Sequence, residues 1–225
     1  MSTLKPVRSD GRETKVRMKA VAQRLFAQHG IDGVTVADIV AAAGQRNKAS
    51  LQYHFGSKDE LIGELLVDGA QKVDAFRLAL LDQMAADGGP RHVRDVLDAF
   101  VRPVYQLTVT EAEGSTYLRF LSNVQLTHRE LFRAHIGAKW NTGYRRCLEH
   151  FRNLLAHIPT PVLEQRMSLV AIYTTTVFSI KEAPADDAPA SSRLWTRKFT
   201  LDNILDTYEA MLVCVPSAAT LEKLK

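Results

Sequence analysis

The sequence predicts an all-α chain, in which a small N-terminal three-helix unit of helix-turn-helix type precedes a larger C-terminal helical body. Three observations lead there. Apolar residues recur at helical spacing through most of the 225 residues, and neither an internal repeat nor strand-like alternation of useful length interrupts them. Capping signatures and glycines punctuate the N-terminal quarter at intervals that suit short helices. Finally, Thr35 to Phe55 with the following run GSKDEL reads as a helix, a tight turn and a second helix.

Residues 1–9 form a basic arm. Asp10 with Glu13 makes a cap signature, and Met18, Ala22, Leu25 and Phe26 give the first helix an apolar stripe that runs to about His29, before Gly30 and Gly33. Thr35 followed by Asp38 is a capping-box start, in which hydroxyl and carboxylate satisfy orphan N–H groups of the first turn. Val36, Ile39, Val40 and Ala43 then share one face. Gly44 fits the left-handed residue that ends a helix, Gln45 to Asn47 form a polar turn, and a helix over Lys48–Phe55 is closed by Gly56. Ser57 with Glu60 caps a long helix from Lys58 to about Ala85, with Ile62, Leu65, Gly69, Val73, Phe76 and Leu80 in a stripe. That helix is a rod of about 38 Å, rigid enough to turn a small shift at one end into a displacement at the other.

After the breaker Asp87-Gly88-Gly89-Pro90, Val93, Leu97, Phe100, Val104 and Leu107 form a stripe containing Pro103, which should kink the helix. A turn at Glu111–Gly114 and a helix from Ser115 to about Gln125 follow. Arg129 to Ile158 reads as one long helix with Trp140, Tyr144, Cys147, Phe151, Leu154 and Ile158 on one side. Thr160 and Pro161 supply an N-cap and first-turn pair for a helix to Lys181 that is apolar nearly all round. The segment Ala183 to Ser192 reads as an exposed loop, and the last helix spans Leu194 to Val213. Two over-apolar helices at the C-terminal end are most simply explained by a second copy of themselves, packed across a two-fold axis; the alternative is one thicker core.

A chain of this length buries about 70% of its unfolded surface and needs no metal or disulfide for a core. Cys147 and Cys214 lack C-x-x-C spacing and read as buried small hydrophobes in a reducing compartment. Without an apolar N-terminal run or a membrane-length apolar stretch, the expectation is a cytoplasmic protein with no membrane partner. The total charge of +4 is unevenly divided: residues 1–58 carry ten Lys/Arg against four Asp/Glu, a balance of +6, which leaves −2 for the rest. A cationic head on a near-neutral body suits a polyanion partner. Seven histidines invite a metal or catalytic reading, but none has H-E-x-x-H or Glu-x-x-His spacing, and no phosphate loop or G-x-S-x-G occurs. No enzyme activity, cofactor or metal is expected.

The second short helix has the chemistry to read double-stranded DNA. Gln52 can pair bidentately with adenine and Ser50 can donate or accept at a base edge. Arg46, Lys48, Lys58, the Tyr53 hydroxyl and the N–H groups at the Thr35 and Ser57 helix starts suit phosphate. His54 either meets the DNA backbone or packs locally, while Leu51 and Phe55 face the core.

SLQYHFGSKDEL, preceded by GIDGVTVADIVAAAG, resembles the tetracycline-repressor (TetR) family of one-component transcriptional regulators, whose corresponding helices usually run close to SKGTLYHYFPSKEEL. The likeness covers roughly Arg12 to Leu66. This chain has one more residue between Gly44 and the aromatic cluster, and Gln52 stands where the family often has Tyr. The resemblance implies a DNA-binding domain over 1–57 and a ligand-binding and dimerisation domain over 58–225. It also implies a homodimer through the two C-terminal helices, a palindromic operator and repression relieved by a small, largely apolar effector. Phe100, Tyr105, Tyr117, Phe120, Trp140 and Tyr173, with Asn123, Gln125, Asn141 and Thr174 as polar anchors, are the candidate effector residues, the alternative for each aromatic being ordinary core.

Overall fold

A computed structural model describes residues 9–110, 115–136, 141–182 and 194–224, which hold eleven helices and, among the described residues, no strand. In chain order these are α1 (Ser9–His29), α2 (Val36–Ala42), α3 (Ala49–Phe55), α4 (Lys58–Ala86), α5 (Val93–Thr110), α6 (Tyr117–Thr127), α7 (Arg129–Ile136), α8 (Thr142–Leu154), α9 (Thr160–Lys181), α10 (Thr200–Val213) and α11 (Ala218–Glu222). Residues 1–8, the expected turn at Glu111–Gly114, the loop Ala183–Ser192 and Trp140 lie outside the described residues. The chain divides into two compact units, Met1–Gly69 with Thr116–Gly137, and Ala70–Ser115 with Ala138–Lys225.

In the N-terminal unit, Met18, Ala22 and Phe26 of α1, Ile39 and Val40 of α2, Leu51 and Phe55 of α3 and Leu61, Ile62 and Leu66 of α4 are buried together. The sequence places the boundary of this unit at residue 57, whereas the compact unit runs on to Gly69 and takes in α6 and α7. The reason is side-chain chemistry on α6. Phe120 stacks on Phe26 with ring centroids 6.0 Å apart, Asn123 Nδ2 donates to the Phe26 carbonyl at 2.8 Å, and the Tyr117 hydroxyl donates to the Leu66 carbonyl at 3.0 Å. Gly69 makes room for that tyrosine, because a Cβ there would lie 2.0 Å from its ring. Gly69→Ala is therefore expected to destabilise the chain by about 1–3 kcal/mol through overpacking, against the gain of about 1 kcal/mol that Ala brings to an open helix. Urea unfolding measures it, and an unchanged or raised midpoint contradicts this packing.

The C-terminal unit is built on α5, whose expected stripe, Val93, Leu97, Phe100, Val104 and Leu107, is buried throughout. Against it pack Cys147 and Phe151 of α8, Met167, Val170 and Phe178 of α9 and Leu205 and Leu212 of α10. Pro103 sits inside α5, which continues through it.

Several expectations change. The single helix over Arg129–Ile158 is two helices: α7 ends at Ile136, Asn141 is non-helical, and α8 runs from Thr142 to Leu154. Gly143 permits a close crossing: its N–H donates to the Asp74 carboxylate at 2.8 Å, and a Cβ would lie 3.1 Å from the Arg77 Cγ. On α4, Phe76 is half exposed, while Asp74 and Arg77 are buried, so the inward face passes through two charged residues. Thr160 is the first residue of α9 rather than its cap, which Pro159 supplies. Residues 194–199 form a short helical turn and then bends, so α10 starts only at Thr200, whose hydroxyl donates to the Leu194 carbonyl. Cys147 is buried but Cys214, just past α10, is exposed.

Candidate nucleic-acid interface

The helix-turn-helix assembles from local chemistry. At α2 the Thr35 hydroxyl accepts from the Asp38 N–H at 3.2 Å, and the Asp38 carboxylate accepts from the Thr35 N–H at 2.8 Å and hydroxyl at 2.7 Å. Those hydrogen bonds hold the Asp38 carboxyl below its ordinary value. Gly44 and Gly56 take φ of 71° and 82°, left-handed values that only glycine adopts at little cost, and they end α2 and α3 sharply. Asn47 Oδ1 accepts from the Ala49 N–H at 2.9 Å and so opens α3.

Leu51 and Phe55 pin α3 down, and the Lys15 ammonium covers the Phe55 ring at 5.0 Å from its centroid. The other face is open. Arg46, Lys48 and Gln52 are exposed, and Tyr53 is 85% exposed, unusual for a large aromatic side chain. Ser50 is half buried. His54 is half buried too, edge-on to Tyr53 with centroids 5.1 Å apart, and its Cε1 lies 4.0 Å from where a Cβ on Gly11 would be; this is the local packing arrangement.

Two sequence-predicted phosphate groups are otherwise engaged. The Thr35 N–H and hydroxyl both go to Asp38. Lys58 donates to the Ile31 carbonyl at 2.6 Å and lies over the Phe26 ring, which ties the α1–α2 turn to the start of α4.

Sequence reasoning also missed the partners of two α1 lysines. Lys15 pairs with Glu64 at 2.9 Å, and Lys19 pairs with Glu64 at 2.8 Å and Asp68 at 2.7 Å, so these cations clamp α1 to α4. Burial opposes ionisation of Glu64, but the hydrogen bonds from Lys19 and Lys15 outweigh it and hold the carboxyl below its usual range. Burial likewise opposes the Lys19 charge, and its bonds to Asp68 and Glu64 raise its pKa on balance. The glutamate's contribution is complete above its unfolded value of 4.5 and is lost as pH falls through the lower folded value. The lysine's is complete below 10.5 and is lost as pH rises through its folded value. Glu64→Gln is expected to lower stability by about 0.5–1 kcal/mol at neutral pH, a modest figure because the groups are a third exposed. In denaturant titrations the gap to wild type should shrink as pH falls through the folded value of Glu64; a gap that does not shrink in acid contradicts the clamp.

The profile of the bacterial regulatory proteins of the tetR family matches residues 20–65, which span the second half of α1, the helix-turn-helix and the start of α4. Over that segment the chain is similar to the DNA-binding part of the tetR family. Solved structures share its fold: a protein assigned to the TetR family of transcription regulators from Shewanella sp. PV-4 is 13% identical, with 87% of this chain and 95% of that one covered at a TM-score of 0.61. The superantigen pfit is 18% identical over 96% and 92% of the two chains at 0.52, and AmtR of Mycobacterium smegmatis is 18% identical over 99% and 98% at 0.50. At such identity the likeness is one of fold. No curated relative matches the sequence.

The expected effector residues divide between the units. Phe100, Tyr105, Asn141, Tyr173 and Thr174 belong to the C-terminal unit, whereas Tyr117, Phe120 and Asn123 belong to the N-terminal unit, where they bind α6 to α1 and α4. Thr174 is buried with its hydroxyl on the Val170 carbonyl, and Tyr173 is 43% exposed. An open groove of about 660 Å³ lies elsewhere in the C-terminal unit, along Leu80, Met84, Arg94, Arg102 and Leu205. Two of its arginines are paired, Arg94 with Asp206 and Arg102 with Asp98. Among the described residues no metal-binding cluster occurs and no helix is long and apolar enough to cross a membrane.

Proposed function

We propose that the chain is a homodimeric cytoplasmic repressor that places α3 of each copy in the major groove of a palindromic operator and leaves it when a small, largely apolar effector binds. The observation that carries the reading is the open face of α3: Gln52 and Tyr53 stand in solvent beside Arg46 and Lys48, although the same short helix is anchored by Leu51 and Phe55. An amide side chain flanked by cations and a phenol suits base-edge contact within a frame of phosphate contacts. With Lys15, Lys19 and Lys58 engaged inside the unit, Arg46, Lys48 and Tyr53 are the phosphate partners of this reading. The functional division is a reading head over 1–57 and a sensing and pairing body over 58–225.

The second copy is proposed on α9, whose inner residues Val162, Met167, Val170 and Phe178 are buried while Leu169, Ile172, Tyr173 and Ile180 face outward at 38–58% exposure. That outer stripe, with the adjoining α10, is the proposed two-fold interface. The effector is placed in the C-terminal unit, about Phe100, Tyr105, Asn141 and Thr174. Fluorescence anisotropy with the DNA upstream of the protein's own and adjacent genes tests the regulator: one segment should bind with steep salt dependence and at two chains per site. Equal, weak binding to every segment would point instead to a non-specific DNA-binding protein.

A further inference from the structure

The C-terminal unit encloses a cation that its own residues leave incompletely matched. Arg77 of α4 is only 6% exposed. Of its five N–H donors, one reaches the Phe100 carbonyl at 2.9 Å, and the Nε N–H is buried without an acceptor. The guanidinium lies over the Phe100 ring, 5.2 Å from its centroid. Asp74, one turn earlier on α4 and also buried, favours the arginine's charge from nearby, while its carboxylate takes the Gly143 N–H at the start of α8 at 2.8 Å. Asn141, which precedes that helix, also has a buried oxygen with no partner. Around the arginine stand apolar walls: Tyr144 and Phe151 lie 5.5 Å and 6.2 Å from the Phe100 ring, and burial pushes the Cys147 thiol up to about 11, so it stays neutral.

A buried donor left without an acceptor weakens a core. A carboxylate accepts two parallel N–H bonds from a guanidinium and would supply the missing acceptor. We infer that Arg77 is the anchor of the effector site, and that the effector is a small carboxylic acid with an apolar body lying against Phe100, Tyr144 and Phe151. This rests on the proposed regulator reading and gives its ligand a chemical class.

Thermal unfolding of the full chain with decanoate and benzoate, against decan-1-ol and benzyl alcohol, tests it. The carboxylates should raise the midpoint of the wild type and the alcohols should not. Arg77→Met, which leaves the buried Asp74 without its cation, should lower the unliganded midpoint and lose the carboxylate response; Arg77→Lys, which keeps the charge without the fork, should raise the apparent Kd at least tenfold and carries the test if the Met variant does not fold. Equal response to alcohols and acids, no response of the wild type to either acid, or an unaltered response in either variant overturns the inference. Anisotropy on operator DNA separates the two proposals. Arg77-dependent carboxylate binding that leaves DNA affinity unchanged removes the effector role and keeps the anion site, whereas release of Arg77→Met from DNA by a neutral ligand removes the anion site and keeps the regulator.

Discussion

Ile172→Glu is expected to leave the chain folded, convert dimers to monomers and lower affinity for a palindromic duplex by on the order of 100-fold or more, the advantage that joining two binding heads confers. Ile172 is the most exposed apolar residue of α9, at 58%, with Leu169 and Tyr173 beside it, so a carboxylate there costs the isolated chain little. In a two-fold interface it would meet its own copy, and like charges in a desolvated contact cost several kcal/mol. Sedimentation equilibrium and anisotropy on one sample read both effects. A variant that stays dimeric, or a monomer that binds the palindrome as well as wild type, would contradict the proposed assembly.

Gln52→Ala should weaken operator binding by about 1–3 kcal/mol and relax the preference at one base pair of each half-site, because Gln52 is the exposed amide of α3. Removal of a phosphate contact, as in Lys48→Ala, should instead weaken all sequences alike and reduce the salt slope by about one. Binding measured across single-base operator variants distinguishes the two. An unchanged consensus with Gln52→Ala would take this residue out of the reading set.

The helix-turn-helix was legible because everything that defines it is local: the Thr35–Asp38 cap, the left-handed Gly44 and Gly56, and the anchors Leu51 and Phe55 all act within a few residues of chain. What escaped depends on partners distant in sequence. Lys15 and Lys19 count toward a basic surface until Glu64 and Asp68, each 49 positions from its partner, are seen to claim them. Lys58 looks like a phosphate contact until its ammonium is found on the Ile31 carbonyl. The same blindness hid Asp74 and Arg77, since charged residues read as surface, and the stripe drawn through Phe76 therefore missed the inward face of α4. Trp140 aside, the effector list joined aromatics by helical spacing, which cannot tell that Tyr117 and Phe120 pack in a different unit from Phe100.

The most direct measurement of the central claim is a binding selection from random duplexes with the full-length chain at low and moderate salt. The account predicts one enriched inverted repeat, with half-site centres about one helical turn, roughly 34 Å, apart, and the loss of specific base positions when Gln52 is replaced. Recovery of no common sequence, at a salt where the protein still binds duplex, would contradict it.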